Sequence, residues 1–258
     1  MNSKIDMLGV FLDNITFKEA ENKIKLYLDK NESVKKIFTP NPEIVMLAQK
    51  NIEYKKMLNK ADLSVVDGIG LVYGAKLNRI NIKERVTGYD LSIWMIEELN
   101  RIGGSIFIMG GAKGVAEKAV ENIKFKYPNI RIAGEHHGFF KGTHIGYNGH
   151  DEEKQVINKI NNSNADVLFV CLGAYKQEKW ICENEKLLNC KIAIGNGGVA
   201  DVLAGNVKMA PDIWRRLGLE WLYRLKENPS RFKRQLEIPK FIVKILLTKK
   251  AVTYVQND

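Results

Sequence analysis

The sequence predicts an α/β protein: a mostly parallel, doubly wound sheet with helices on both faces, followed by a helical C-terminal appendage. Three observations predict it. Short β-rich runs alternate with helix-length segments, the pattern of helix-covered sheets. Several of these runs are apolar throughout and bounded by Gly or Asp, as strands buried on both faces require. Beyond about Gly205 the alternation stops and only helical periodicity continues.

The predicted strands span 34–38, 63–66, 105–109, 130–133, 167–170 and 191–194, and the predicted helices 42–60, 89–101, 115–127, 152–161 and 177–188. The Gly-, His- and Asn-rich stretch 141–150 reads as a surface loop. Further on, Trp214, Leu217, Trp221 and Leu225 recur at helical spacing until Pro229 interrupts them. A last segment then sets Ile238, Phe241, Ile242, Ile245 and Leu246 on one face and Glu237, Lys240, Lys244 and Thr248 on the other. Residues 1–203 therefore read as the core and 204–258 as a basic amphipathic appendage.

Charge is unevenly placed. The net charge is +10, and from Lys208 onward twelve Lys/Arg face five Asp/Glu, so most of the excess lies in the appendage. A basic tail on a near-neutral body points to an anionic surface, either nucleic acid or the anionic cytoplasmic leaflet. No stretch reaches the roughly 18 apolar residues of a transmembrane helix. The run from Met7 to Leu12 is too short for a signal peptide and is closed by Asp13. A cytoplasmic protein is expected. Cys171, Cys182 and Cys190 form no C-x-x-C pair, which argues against a disulfide framework and against structural zinc.

In doubly wound sheets ligands bind beyond the carboxyl ends of the strands, so the residues just after each run are the candidates. Thr39-Pro40-Asn41-Pro42-Glu43 follows the first; Asn41 is placed to cap a helix that Pro42 opens. Asp67, followed by Gly68 and Gly70, follows the second. A carboxylate there either caps a helix or takes a proton from a sugar hydroxyl, and the glycines suggest close approach of a substrate. Gly110 and Gly111 open the next turn, but G-x-G-x-x-G would need Gly where Met109 stands, which disfavours a nicotinamide enzyme. Amides of that turn remain suited to a nucleotide or phosphate. Gln177 after the fifth run and Asp201 after the Gly195-Asn196-Gly197-Gly198 turn are candidates for base, ribose or sugar contacts. His136 and His137 are adjacent, a poor spacing for a metal pair. The chain has no Asp-x-Asp, so no metal and no cofactor are expected. A leaving diphosphate would then be stabilised by Arg, Lys and backbone amides, with Arg85 the nominated body residue.

These blocks resemble those of the WecG/TagA/CpsF glycosyltransferases (glycosyltransferase family 26). The likeness is carried by Thr39-Pro40-Asn41-Pro42-Glu43, Asp67-Gly68-Ile69-Gly70, Arg85-Val86-Thr87-Gly88 and Gly134-x-x-His137-Gly138. It continues through Leu172-Gly173-x-x-Lys176-Gln177-Glu178-x-Trp180, Gly197-Gly198-x-x-Asp201, Ala210-Pro211 and the segment 218–224. It runs in order from about residue 5 to 235. The resemblance implies a Rossmann-like core and an inverting, metal-independent transferase. In the TagA-like branch it implies transfer of N-acetylmannosamine from UDP to N-acetylglucosaminyl-diphospho-undecaprenol, on the route to wall teichoic acid. It places the base at Asp67 with Thr39 and Asn41 beside it, nucleotide contacts at Gln177 and Asp201, and appendage arginines at Arg224, Arg231 and Arg234. Two features depart from the pattern: the long loop 141–150, and Phe139 where Tyr is expected. Both bear on the donor sugar.

The expected partners are thus a UDP-sugar, a polyprenyl-diphosphate-linked GlcNAc acceptor and the inner face of the plasma membrane, reached peripherally through the appendage. The sequence leaves the donor open, with UDP-ManNAcA or UDP-glucose as alternatives, and it leaves homo-oligomerisation open. A non-catalytic nucleic-acid-binding protein is the rival from another class. It would leave the decorated strand ends unexplained, so no nucleic-acid partner is expected.

Overall fold

The computed structural model describes residues 4–29, 33–211, 213–214, 218–227, 229 and 232–255, without the side chains of Arg224 and Lys233. The predicted α/β class is the one observed. After a hairpin of β1 (Lys4–Met7) and β2 (Val10–Asp13) come α1 (Phe17–Asp29), β3 (Lys35–Phe38), α2 (Pro42–Lys50), α3 (Ile52–Leu58) and β4 (Leu63–Ser64). Then follow α4 (Ile69–Leu77), α5 (Gly88–Ile102), β5 (Ser105–Gly110), α6 (Val115–Lys126), β6 (Arg131–His136) and α7 (Asp151–Asn162). The core closes with β7 (Val167–Cys171), α8 (Lys176–Asn184), β8 (Ile192–Gly195) and α9 (Val199–Leu203).

Strands β3 to β8 form one six-stranded parallel sheet in the order β4-β3-β8-β7-β5-β6. Every residue of β5, β7 and β8 is buried, which is why these segments read as unbroken apolar runs. An apolar layer lies on each face, one including Phe38, Tyr54, Phe107 and Trp180, the other Ile24, Leu91, Ile108 and Phe169. All six carboxyl ends share one edge. The chain leaves β5 toward β6 and leaves β7 toward β8, in opposite directions. The crevice between β5 and β7 is therefore a topological switch point, where open α/β sheets take their ligands.

Several expectations change in detail. The predicted helix 42–60 is two helices, because the Asn51 side chain accepts from Tyr54 N (3.1 Å) and caps a second one. Helix α1 was not among the predicted helices, although Ala20, Ile24 and Leu28 form a buried stripe at helical spacing. Its start is nonetheless written as Thr16-x-x-Glu19: Glu19 N donates to Thr16 Oγ1 (3.1 Å) and Thr16 N to Glu19 Oε2 (2.7 Å). The apolar run 7–12 is a tight hairpin rather than one element. Leu8 (φ 54°) and Gly9 (φ 83°) turn it, so that Ile5, Met7, Val10 and Leu12 all face inward.

The expectation of helix alone beyond Gly205 also fails. Strand β9 (Val252–Tyr254) pairs antiparallel with β1, giving a second sheet in the order β2-β1-β9. Before it, the C-terminal helix (Glu237–Leu247) packs on α2 and α4. Of its predicted apolar face, Phe241 and Ile245 are buried in the core, and a Cβ on Gly74 would stand 2.9 Å from the Phe241 ring. Glu237, expected on the polar face, is buried and paired with Lys50 and Lys240 at 3.0 Å each. The exposed apolar residues of this helix are instead Val243, Leu246 and Leu247. Among the described residues no helix is long and apolar enough to cross a membrane.

Candidate functional site

Two backbone hydrogen bonds lay the first two predicted turns side by side at the ends of β3 and β4. Val65 N donates to Phe38 O and Asp67 N to Pro40 O, both at 3.1 Å. The glycines after Asp67 make room for protein rather than ligand: a Cβ at Gly70 would lie 2.7 Å from Pro42 Cγ, and one at Gly68 would strike the same ring. The N-cap of α4 is Gly68, so Asp67 is not that helix's cap. Asn41 is a cap: its side chain accepts from Ile44 N (3.0 Å) at the start of α2.

A third segment joins them. Val86 N donates to Val66 O (3.0 Å), which draws Arg85 alongside the end of β4. Thr87 and Asp90 then cap α5, with Asp90 N on Thr87 Oγ1 (3.1 Å) and the Thr87 hydroxyl on Asp90 Oδ2 (2.7 Å). The missing side chain at Gly88 lets α5 start against Thr39; a Cβ there would come within 2.9 Å of Thr39 Oγ1. Thr39, Asn41, Asp67 and Arg85 are thus gathered at one corner of the sheet edge.

The glycine turns meet at the switch point. Gly111 N donates to Cys171 O (3.3 Å) and Gly138 N to Gly111 O (2.9 Å), so the ends of β5, β6 and β7 are tied together. Gly110 has φ 134° and sits so close to Cys171 that no Cβ fits. Above this junction opens a cavity of about 520 Å³, lined among others by Gly111, Gly138, Phe140, Lys141, His144 and Lys176. Three strand spacings separate β3 from β5, so the cavity lies about 14 Å along the edge from the Thr39 turn.

The stretch 141–150 is a largely exposed loop, as the sequence suggested, but Lys141, His144 and Ile145 line the cavity. Thr143 and His144 are buried. The Glu153 carboxylate anchors the loop by accepting from Thr143 N and Thr143 Oγ1 at 2.9 Å and from Asn184 Nδ2 at 3.3 Å. These partners satisfy a polar segment that would otherwise need water, and let it fold inward. The His144 ring lies 4.6 Å from that of Phe140, and its Nδ1 has no partner. Burial holds its pKa below the ordinary imidazole value, as it does that of His136, whose Nδ1 faces the His137 carbonyl at 2.6 Å. Sequence reasoning missed His144; the one signal was the loop's surplus length.

The remaining predicted residues divide. Gln177 is buried, and both ends of its amide are engaged inside the protein, with Oε1 accepting from Gly197 N (2.8 Å) and Nε2 donating to Glu178 Oε1 (2.8 Å). Asp201 lies in α9 near Cys171, whose thiol is pushed up to about 12, chiefly by burial. Cys182 and Cys190 are raised likewise by burial, which disfavours the reactive thiolate. Arg234 pairs with Glu43, Nε to Oε1 at 2.6 Å and Nη2 to Oε2 at 3.2 Å, beside the Asn41 turn. Arg231 and the Arg224 side chain lie outside the described residues. Gly218 stands against α4, where a Cβ would come 2.7 Å from Ile69 Cγ1. The appendage therefore borders the corner that holds Asp67.

A family model described as "Glycosyl transferase WecG/TagA/CpsF family" matches residues 5–254. A Bacillus spizizenii protein named N-acetylglucosaminyldiphosphoundecaprenol N-acetyl-beta-D-mannosaminyltransferase is 37% identical over 225 residues, covering 87% of this chain and 83% of its own. Relatives of the same name include one from Bacillus subtilis, 37% identical over 228 residues, 87% of this chain and 85% of its own. Another, from Staphylococcus aureus, is 32% identical over 252 residues, 97% of this chain and 95% of its own.

Proposed function

Because the chain belongs to the WecG/TagA/CpsF family of glycosyltransferases, we propose that it transfers N-acetylmannosamine from its UDP derivative to N-acetylglucosaminyl-diphospho-undecaprenol, with inversion and without a bound metal. The observation that carries this reading is the layout of the sheet edge. A carboxylate–arginine corner of Thr39 and Asn41 after β3 and Asp67 and Arg85 beside the end of β4 lies three to four strand spacings, about 14 to 19 Å, from a glycine-lined cavity at the switch point. An extended nucleoside-diphosphate sugar spans such a distance, with its nucleoside in the cavity and its anomeric carbon at the corner.

In this arrangement Asp67 takes the proton from the acceptor sugar's hydroxyl as that oxygen attacks the anomeric carbon in line. The bond from that carbon to the diphosphate breaks, and its electron pair leaves on UDP. Arg85, backbone amides of the glycine turns and arginines of residues 204–258 offset the developing charge. Residues 204–258 serve as lid and membrane contact. The protein works in the cytoplasm at the inner face of the plasma membrane. Its exposed Leu246 and Leu247 enter the headgroup region while neighbouring lysines meet anionic lipid.

A second reading keeps the reaction and changes the donor to another UDP-sugar, such as UDP-ManNAcA or UDP-glucose. The loop 141–150 favours it, because its His144 and Lys141 line the cavity. One experiment tests both. A panel of UDP-sugars is offered with a short-chain lipid-diphosphate GlcNAc acceptor, with and without EDTA, and products are weighed by mass spectrometry. The first reading expects product from UDP-ManNAc alone, undiminished by EDTA. Product from a different donor selects the second reading, and loss with EDTA followed by rescue with magnesium refutes metal independence.

A further inference from the structure

A buried chain of hydrogen bonds runs beneath the glycine turns at the ends of β7 and β8. Its polarity is set at both ends by backbone N–H groups, which only donate. Gly197 N donates to Gln177 Oε1 (2.8 Å), so the Gln177 amide nitrogen faces the other way and donates to Glu178 Oε1 (2.8 Å). Tyr175 N donates to the Tyr54 hydroxyl oxygen (3.1 Å), so the hydroxyl proton turns to Glu178 Oε2 (3.1 Å). Both oxygens of Glu178 must therefore accept. Glu178 and Tyr54 are each fully buried. A carboxylate taken from water is costly, and an apolar residue of similar volume would fill the same space more cheaply.

What the chain holds is unusual backbone. Tyr175 has φ 70° and ψ −52°, a region that side-chain-bearing residues avoid, and Gly197 has φ 51°. The Tyr54 and Tyr175 rings meet edge to face at 5.2 Å, which adds to the hold. The adjoining glycine is fitted to the same chain: a Cβ on Gly195 would come 3.0 Å from Gln177 Nε2. The 173–175 turn follows β7 at the switch point, and the 195–197 turn follows β8, one strand nearer the Thr39 corner.

We propose that Glu178 is a positioning residue of the donor site, which acts through Gln177 and Tyr54 to lock the 173–175 and 195–197 turns in the conformation that receives the nucleoside diphosphate. This rests on the donor reading above. It makes a specific demand on hydrogen-bond polarity. Glu178→Gln keeps the shape but turns an NH₂ group toward either the Gln177 amide nitrogen or the Tyr54 hydroxyl, so one link is lost. The exchanged pair Gln177→Glu/Glu178→Gln restores every link. The new carboxylate accepts from Gly197 N and from the new amide, whose oxygen accepts from Tyr54.

The experiment measures UDP affinity by calorimetry and amide hydrogen exchange at Tyr175 and Gly197, in wild type, Glu178→Gln, the exchanged pair and Asp166→Asn. The last is a control for loss of stability, since Asp166 clamps Ser105 at the opposite edge of the sheet. Glu178→Gln should weaken UDP binding about tenfold, the equivalent of one charge-assisted hydrogen bond, and speed exchange at both amides. Its KM for the donor should rise similarly while kcat stays within about twofold. The exchanged pair should recover slow exchange and most of the affinity, and Asp166→Asn should leave UDP affinity unchanged. The proposal is overturned if Glu178→Gln binds UDP like the wild type, if exchange at the two amides does not change, or if Asp166→Asn weakens binding equally. Failure of the wild type to bind UDP overturns the donor reading itself. Wild-type binding with an unaffected Glu178→Gln overturns only the role of Glu178.

Discussion

Asp67→Asn separates a base from a structural carboxylate. The N-cap position of the following helix is Gly68, so the substitution removes no helix cap, and UDP binding should stay near wild type. Turnover should fall about 10²-fold or more, as measured in the short-chain acceptor assay. Near-normal turnover would move the base elsewhere. At His144 the expected effect is on stability. Burial holds this imidazole and that of His136 below their ordinary value, so on acidification the unfolded chain binds protons that the folded state refuses. Stability is therefore present above about pH 6.5 and is lost as pH falls below it. Melting temperatures of His144→Gln between pH 7.5 and 5.5 should fall less steeply than those of wild type. An unchanged slope would show that His144 does not titrate across folding.

The elements show what was legible and what was not. Strands β5, β7 and β8 were visible because each is an apolar run bounded by Gly or Asp, and parallel strands covered on both faces carry no alternation to confuse the reading. Strands β3, β4 and β6, which carry polar residues, were placed by their alternation with helix-length segments. The turn residues at their ends were visible for the same reason, since topology sends all of them to one edge. Strands β1, β2 and β9 were not legible. The run 7–12 gives no sign that it turns back at Leu8 and Gly9, and the pairing of β9 with β1 depends on a partner nearly the whole chain away. Gly68 and Gly70 were misread as room for a ligand because sequence does not say that Pro42 would fill it. Glu178 was read only as part of a family block and given no role, because its partner Tyr54 lies on another helix. The C-terminal helix tests the packing: Phe241→Ala should lower stability by about 3 kcal/mol in urea melts, the cost of a cavity between this helix, α2 and α4. A loss under about 0.5 kcal/mol would mean that the helix is only loosely seated.

For the whole molecule, the same helix serves two masters. Its inner face belongs to the core through Phe241 and Ile245, and its outer face offers Val243, Leu246 and Leu247 beside Lys240 and Lys244. Deleting residues 237–258 would remove both the outer face and part of the core, and so confound a membrane role with instability. Leu246→Glu/Leu247→Glu changes the outer face alone. This variant should bind anionic liposomes much more weakly in a flotation assay and lose turnover with a long-chain acceptor, while turnover with the short-chain acceptor stays within about twofold of wild type. Equal loss with both acceptors would place these leucines in folding or catalysis instead.

The pairing of β9 with β1 also has a consequence for synthesis. Val255 N reaches Lys4 O at 2.9 Å, so the first strand of the protein is completed by the last. On the ribosome β1 must wait for about 250 further residues, roughly 12 to 50 s at about 5–20 residues per second, before its second neighbour exists. During that interval one side of β1 presents unpaired backbone groups, a template for pairing with another nascent chain. The small sheet can therefore close only once residues 252–254 have left the ribosome. A stop codon just before residue 252 should yield a chain that aggregates during expression, even though every strand-end residue discussed here has already been made.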